Sequence, residues 1–214
     1  MYNGKQTTIS FKVFLFGKTK DNKKLIEVAL APANINDGIV FKRTDINKKE
    51  KLNFDNVKIE NGSICCGLVK NIEQLLIAVW ANKIDNLIVE INGDTMPYLE
   101  GHSEQISFIL STAQTESFDI SRNVFELKKK IKNDFLIIKP STTFSIVANG
   151  FLFDNKIHPY KNFLAFVKKE DKEYQTLFTL ALLFIGGFSL LDVEITKFAE
   201  NEIFETIKTL FNGK

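Results

Sequence analysis

The feature that most constrains this fold is a pattern of apolar periodicities that occurs twice. Between residues 8 and 60 the chain carries short apolar or alternating runs, Ile9 to Phe16, Leu25 to Leu30 and Gly38 to Phe41, punctuated by Asp37-Gly38 and Asn61-Gly62. A two-residue period bounded by turn formers reads as strand. The period then changes, with Ile72, Leu75, Leu76, Val79 and Trp80 recurring at helical spacing behind Asn71, which stands as an N-cap with Gln74 three residues on. A strand from Leu87 to Ile91, a turn at Asn92-Gly93-Asp94 and a helix from about Ser103 to Ala113 follow. The second half repeats the order: strands at Phe135 to Ile138 and Phe144 to Val147, a helix from about Tyr174 to Ile185, a strand from Leu190 to Ile195 and a helix from Glu200 to Phe211. An offset of about 104 positions lays Glu73 to Ile91 on Leu177 to Ile195 and superposes Val89-Glu90-Ile91 on Val193-Glu194-Ile195.

This organisation predicts an α+β fold of two similar subdomains, each a mostly antiparallel sheet with helices on one face. The expected divisions are residues 1–118, a linker region at 119–133, and a second, reduced subdomain at 134–214. Packing the two helical faces together would bury both apolar stripes, and that arrangement needs no cofactor. Of 214 residues, 44% are hydrophobic and 25% charged, enough for a sizeable core under a soluble surface. The 28 basic and 26 acidic residues are intermixed, so no electrostatic footprint for nucleic acid arises. Lys20 to Lys24 and Lys128-Lys129-Lys130 are expected to be solvated. Leu177 to Leu191 is nearly all apolar but shorter than the ~20 residues of a spanning helix, and reads as a buried helix running into a buried strand. Met1 to Thr7 carries no apolar leader, and Cys65-Cys66 is an adjacent pair without a second pair, so neither a disulfide framework nor a CxxC zinc site is expected. A cytoplasmic location is the expectation.

Few residues suit metal or nucleophilic chemistry. His102 and His158 are the two histidines, and both read as surface turn residues. Free cysteines usually serve as small buried apolar groups, although Cys65 and Cys66 could join His102 or His158 at a metal. Glu73, in the first turn of a helix, is favoured there by the unpaired N–H groups and the dipole, and Gln74 can cap the same helix.

Several consecutive runs carry a resemblance. Ala31-Pro32-Ala33 followed by Asp37-Gly38-Ile39-Val40-Phe41-Lys42-Arg43-Thr44-Asp45, then Ile72-Glu73-Gln74-Leu75-Leu76, Ile84-Asp85-Asn86, Val89-Glu90 and Pro97-Tyr98-Leu99-Glu100-Gly101, are similar in order and spacing to the UDP-3-O-acyl-N-acetylglucosamine deacetylase (LpxC) family of lipid A biosynthesis. The resemblance implies an LpxC-like, ribosomal S5 domain 2-like fold in a bacterial, cytoplasmic protein. It also implies a zinc ion on two histidines and an aspartate that activates water, with a glutamate as base. Carried over, the base falls on Glu73, the first zinc ligand on Gln74, and the other two, at i and i+4 of one helix, on Tyr174 and Phe178. Gln175 and Leu182 stand where the family has a lysine and an aspartate, and the catalytic histidine falls near Asn201. Phe16-Gly17-Lys18-Thr19-Lys20 replaces a Gly-Leu-His-Ser-Gly run. No histidine occurs from residue 159 to 214, so no register of that helix restores the site.

The expectation is therefore a non-catalytic homologue, a pseudoenzyme with the zinc ligands lost and no cofactor, acting in binding or regulation through a protein partner or self-association. Phe178, Leu182 and Ile185 are expected to fill the old cleft or face a partner. The stretch from Phe135 to Tyr174 is too short for the insert that forms the family's acyl-chain passage. Two alternatives stand beside this reading: a divergent hydrolase or deacetylase with a site rebuilt around Glu73, and a subunit that completes its site with another chain.

Overall fold

The computed structural model describes residues 4–20, 23–99, 103–122, 124–148, 151–154 (as backbone), 174–187 and 191–212. The first half contains β1 (Lys5–Ile9), β2 (Val13–Lys18), β3 (Leu25–Pro32), β4 (Ile39–Arg43), β5 (Lys48–Lys51), β6 (Val57–Glu60), β7 (Ser63–Cys66), α1 (Glu73–Ala81), β8 (Leu87–Ile91), α2 (Glu104–Thr112) and β9 (Thr115–Ser121). The second contains β10 (Ile131–Lys132), β11 (Leu136–Pro140), β12 (Ser145–Ala148), β13 (Phe151–Asp154), α3 (Tyr174–Ile185), β14 (Leu191–Ile195) and α4 (Glu200–Asn212). The fold is α+β, as the periodicities predict.

Two five-stranded sheets have orders that correspond place for place, β2-β3-β8-β4-β5 and β10-β11-β14-β12-β13. Each is antiparallel except for one pair, β4 with β8 in the first and β12 with β14 in the second. A parallel pair needs a long crossover, and in the first sheet that crossover carries β5, β6, β7 and α1. The central strand β8 alternates as expected of a half-buried strand, with Leu87, Val89 and Ile91 buried and Ile88 and Glu90 on the outer face.

One continuous apolar core joins both halves. Helix α1 buries Leu75, Leu76, Ile77, Ala78 and Val79 together, and it packs against both α2 and α3. Trp80 meets Phe144 edge to face at 5.8 Å, and Phe54 packs on Phe204 and Phe211 at 6.1 and 5.3 Å. These ring contacts tie the halves beyond the area they bury. Within the apolar stretch from Leu177, α3 ends at Ile185 and β14 begins at Leu191; among the described residues, no helix is long and apolar enough to cross a membrane.

The structure corrects three local expectations. The run from Ile9 to Phe16 is two strands rather than one, with β1 paired to β9 and β2 to β3. Strand β9 is almost wholly exposed and polar, so apolar periodicity does not mark it. Asn71 does not cap α1: it adopts φ +58°, a conformation asparagine tolerates, and the helix starts at Glu73 with Ile72 at the cap position and no side-chain cap.

Candidate functional site

The site is built by a hairpin, a helix start and a helix from the other half. Asn61 and Gly62 both have positive φ, +50° and +69°, which is the two-residue turn that matches strand twist and joins β6 to β7. Strand β7 then offers both backbone groups of Ile64 to the start of α1. The Ile64 N–H donates to Glu73 Oε1 at 2.7 Å, and Ile64 O accepts from the Ile72 N–H at 3.1 Å. From the second half, the first residue of α3 arrives at the same point: the Tyr174 hydroxyl lies 3.0 Å from Glu73 Oε1 and 3.1 Å from Gly62 O.

Glu73 and Tyr174 are only 4% and 6% exposed. Burial first, and the neighbouring Glu73 carboxyl second, push the Tyr174 phenol above its ordinary range, so it stays an O–H donor. Its single proton serves the Glu73 carboxyl or the Gly62 carbonyl, and either way it ties the two halves together.

Beside this contact opens a cleft of about 670 Å³. Its floor includes Glu73, Gln74 and Tyr174, and the Pro97-Tyr98-Leu99 segment gives it an apolar wall. Lys20, which also lies 5.4 Å from the centre of the Tyr98 ring, stands at its rim with Lys24. Lys70 sits 4.0 Å from Glu60 and 3.9 Å from Asp94, so the rim carries both signs. None of Phe178, Leu182 and Ile185, the residues expected to fill the old cleft or face a partner, is among the described residues that line it. Phe178 and Leu182 are fully buried, but they pack into the core beyond the floor, Phe178 against Tyr174 and Phe198 at 6.1 and 5.8 Å.

The positions carried over thus divide. Glu73, Gln74 and Tyr174 converge on one cleft, and Phe178 lies behind Tyr174. Gln175 is half-buried, and Asn201 is exposed on α4; neither lines the cleft. Ile185 lines a separate recess of about 280 Å³. Cys65 lines the cleft wall while Cys66, its strand neighbour, points to the core. His102 and His158 lie outside the described residues. Lys70, Asp94 and Ser63 join the site without a sequence signal of their own; the Asn61-Gly62 turn marks the hairpin but not what it faces.

These donors do not fit a zinc ion. Gln74 offers an amide, Tyr174 a protonated phenol hydrogen-bonded within the protein, and Phe178 no donor. Burial and the nearby Glu60 and Glu73 push the Cys65 thiol up, and burial pushes Cys66 up to about 12, so neither supplies a ready thiolate. Among the described residues, no group of three or more His, Cys, Asp or Glu could hold a metal.

A family model described as LpxC, UDP-3-O-acyl N-acetylglycosamine deacetylase, matches residues 6–177. The UDP-3-O-acyl-N-acetylglucosamine deacetylase of Helicobacter pylori (strain J99) is 29% identical over 150 residues, covering 66% of this chain and 51% of the relative. That of Sulfurimonas denitrificans is 28% identical over 145 residues, covering 64% and 49%, and that of Vibrio atlanticus 27% over 135 residues, covering 60% and 44%. The chain spans about half the length of the curated relatives it matches.

Proposed function

Starting from the fact that this chain belongs to the UDP-3-O-acyl-N-acetylglucosamine deacetylase family of lipid A biosynthesis, we propose that it is a non-catalytic member that acts by binding or regulation. The observation that carries this reading is the Tyr174–Glu73 contact at 3.0 Å. A buried phenol stands where the resemblance places a metal ligand, and it holds the carboxyl where the resemblance places the base. The same reading takes residues 1–118 and 134–214 as duplicated units joined by 119–133, and places the protein in the cytoplasm.

A second reading, a divergent hydrolase or deacetylase of the same family with Glu73 at a rebuilt site, is favoured by the open cleft above that residue. One pair of measurements separates the two. Purified, tag-free protein is incubated with zinc, desalted and assayed for metal by elemental analysis, then for deacetylation of a UDP-3-O-acyl-N-acetylglucosamine. The proposal expects near-zero zinc and no turnover. Stoichiometric zinc with turnover overturns it, and activity abolished by Glu73→Gln would establish the second reading.

A further inference from the structure

Strand registers show which residues share the solvent face of the first five-stranded sheet, because directly paired residues point the same way. One row runs Phe14, Ala29, Glu90, Lys42 and Lys49, and the adjacent rows bring Phe16 beside Glu27, Lys18 beside Leu25, and Ile88 beside Val40 and Lys51. Lys12 and Lys42 converge on Glu90 from its two sides, at 2.8 and 2.9 Å. Tyr98 closes the β2 edge by donating its N–H to Lys18 O at 2.8 Å, and Pro97 and Leu99 lie against Gly17, which alternates to the core side. The opposite face is open to solvent among the described residues: Phe14, Phe16 and Leu25 are 49%, 59% and 62% exposed.

We propose that this sheet face docks reversibly on an anionic lipid surface, with Phe14, Phe16 and Leu25 entering the interfacial layer and the lysines meeting headgroup phosphates. The face carries Lys12, Lys18, Lys42, Lys49 and Lys51 against Glu27 and Glu90, a surplus of three positive charges in a chain whose whole net charge is +2. Its charge is therefore complementary to a negative surface, and the apolar corner sits on the same side of the sheet.

The spacing and the residue types select this occupant. Lys12 and Lys18 stand at the β2 side and Lys49 and Lys51 on β5, four strand spacings or about 20 Å away. One small anion cannot span that distance, whereas a charged bilayer surface meets all of them. Every one of these cations is a lysine, whose long stem lets the ammonium rise to the headgroups while apolar neighbours sink below it. Nucleic-acid recognition favours the planar fork of arginine, which none of these positions supplies. Phe14 and Phe16, with rings 6.5 Å apart, and Leu25 provide the apolar insertion that adds to electrostatic attraction in peripheral membrane binding. None of the three lines the cleft, so this surface is distinct from it.

Co-sedimentation of the full chain with vesicles tests the proposal, comparing phosphatidylcholine alone with phosphatidylcholine containing phosphatidylglycerol. Binding is expected on the anionic vesicles, with far less on the neutral ones and a decline as salt rises. A lysine near an anionic surface multiplies partitioning by about five, so Lys18→Gln/Lys49→Gln should weaken it about 25-fold. Phe14→Thr/Phe16→Thr, which keeps strand-forming residues at exposed positions, should weaken it by more than about tenfold while the salt dependence and the melting temperature stay as in wild type. Phe16→Trp should gain a blue-shifted emission component on anionic vesicles, whereas wild type, whose Trp80 packs on Phe144, should not. A chain that stays in the supernatant with anionic vesicles, binding unchanged in both double variants, an unshifted Phe16→Trp spectrum, or capture of a single-stranded oligonucleotide through these same lysines and phenylalanines would each overturn the proposal.

Discussion

Replacing Tyr174 with phenylalanine removes one oxygen from a buried contact at the floor of the cleft, and its cost follows from the geometry. The hydroxyl lies 3.0 Å from Glu73 Oε1 and 3.1 Å from Gly62 O, and the residue is 6% exposed, so water does not readily take its place. The ring keeps its packing on Phe178 at 6.1 Å, so the loss is polar rather than a large cavity. A buried hydrogen bond to a carboxyl group is worth about 1.5–3 kcal/mol. For a chain of this size each kcal/mol moves the melting temperature by about 2–4 °C, so Tyr174→Phe is expected to melt roughly 3–12 °C lower. Differential scanning calorimetry reads the temperature. Urea titration should show a lower midpoint at unchanged slope, as expected when the native state loses an interaction and unfolding exposes the same surface. Glu73→Gln keeps an oxygen that can accept from the Ile64 N–H and from Tyr174, and should cost less. Combining the two variants should show coupling, because the residues share the contact. A Tyr174→Phe protein within about 0.5 kcal/mol of wild type, the range of an ordinary surface change, would refute the claim that this hydroxyl fastens the two halves.

Other expectations follow from the same coordinates. On the outer face of the first sheet Lys12 and then Lys42, at 2.8 and 2.9 Å, hold the Glu90 carboxyl below its ordinary range. Its stabilising contribution is present above the unfolded-state value near ~4.3 and is lost as pH falls through the lower folded-state value. Glu90→Gln should therefore lower stability by about 0.5–1 kcal/mol at neutral pH, discounted for partly solvated lysines, with the gap closing in acid when urea midpoints are compared across pH. Cys65 and Cys66, 1% and 0% exposed with raised thiol values, should resist a thiol reagent in the native protein and react only when urea opens the core. Gly62→Ala places a Cβ at φ +69° in the hairpin turn and should cost about 1–2 kcal/mol by chemical denaturation.

Much of the framework is legible in the amino-acid order because it depends on local period. Leu87–Ile91 and Leu191–Ile195 carry the same alternation and become the central strands of the two sheets, at the spacing the repeat implies. The helices near Tyr174 and Glu200 are equally marked by their apolar periods, and Asn61-Gly62 is a turn that needs little tertiary help. The absence of histidine beyond residue 159 likewise needs no coordinates.

Other features belong to the tertiary structure alone. Strand β9 has no apolar period because it lies exposed along β1, and only pairing defines it. Phe14 and Phe16 read like core residues until the sheet turns their face to solvent. Glu73 meets a tyrosine 101 residues away because a hairpin, a helix start and a helix from the other half converge there. A period identifies which side of an element is apolar, and residue types identify which donors exist. Which distant side chains touch, and which cleft remains open, is set by how complete sheets and helices pack, a property of the whole chain that no local window contains.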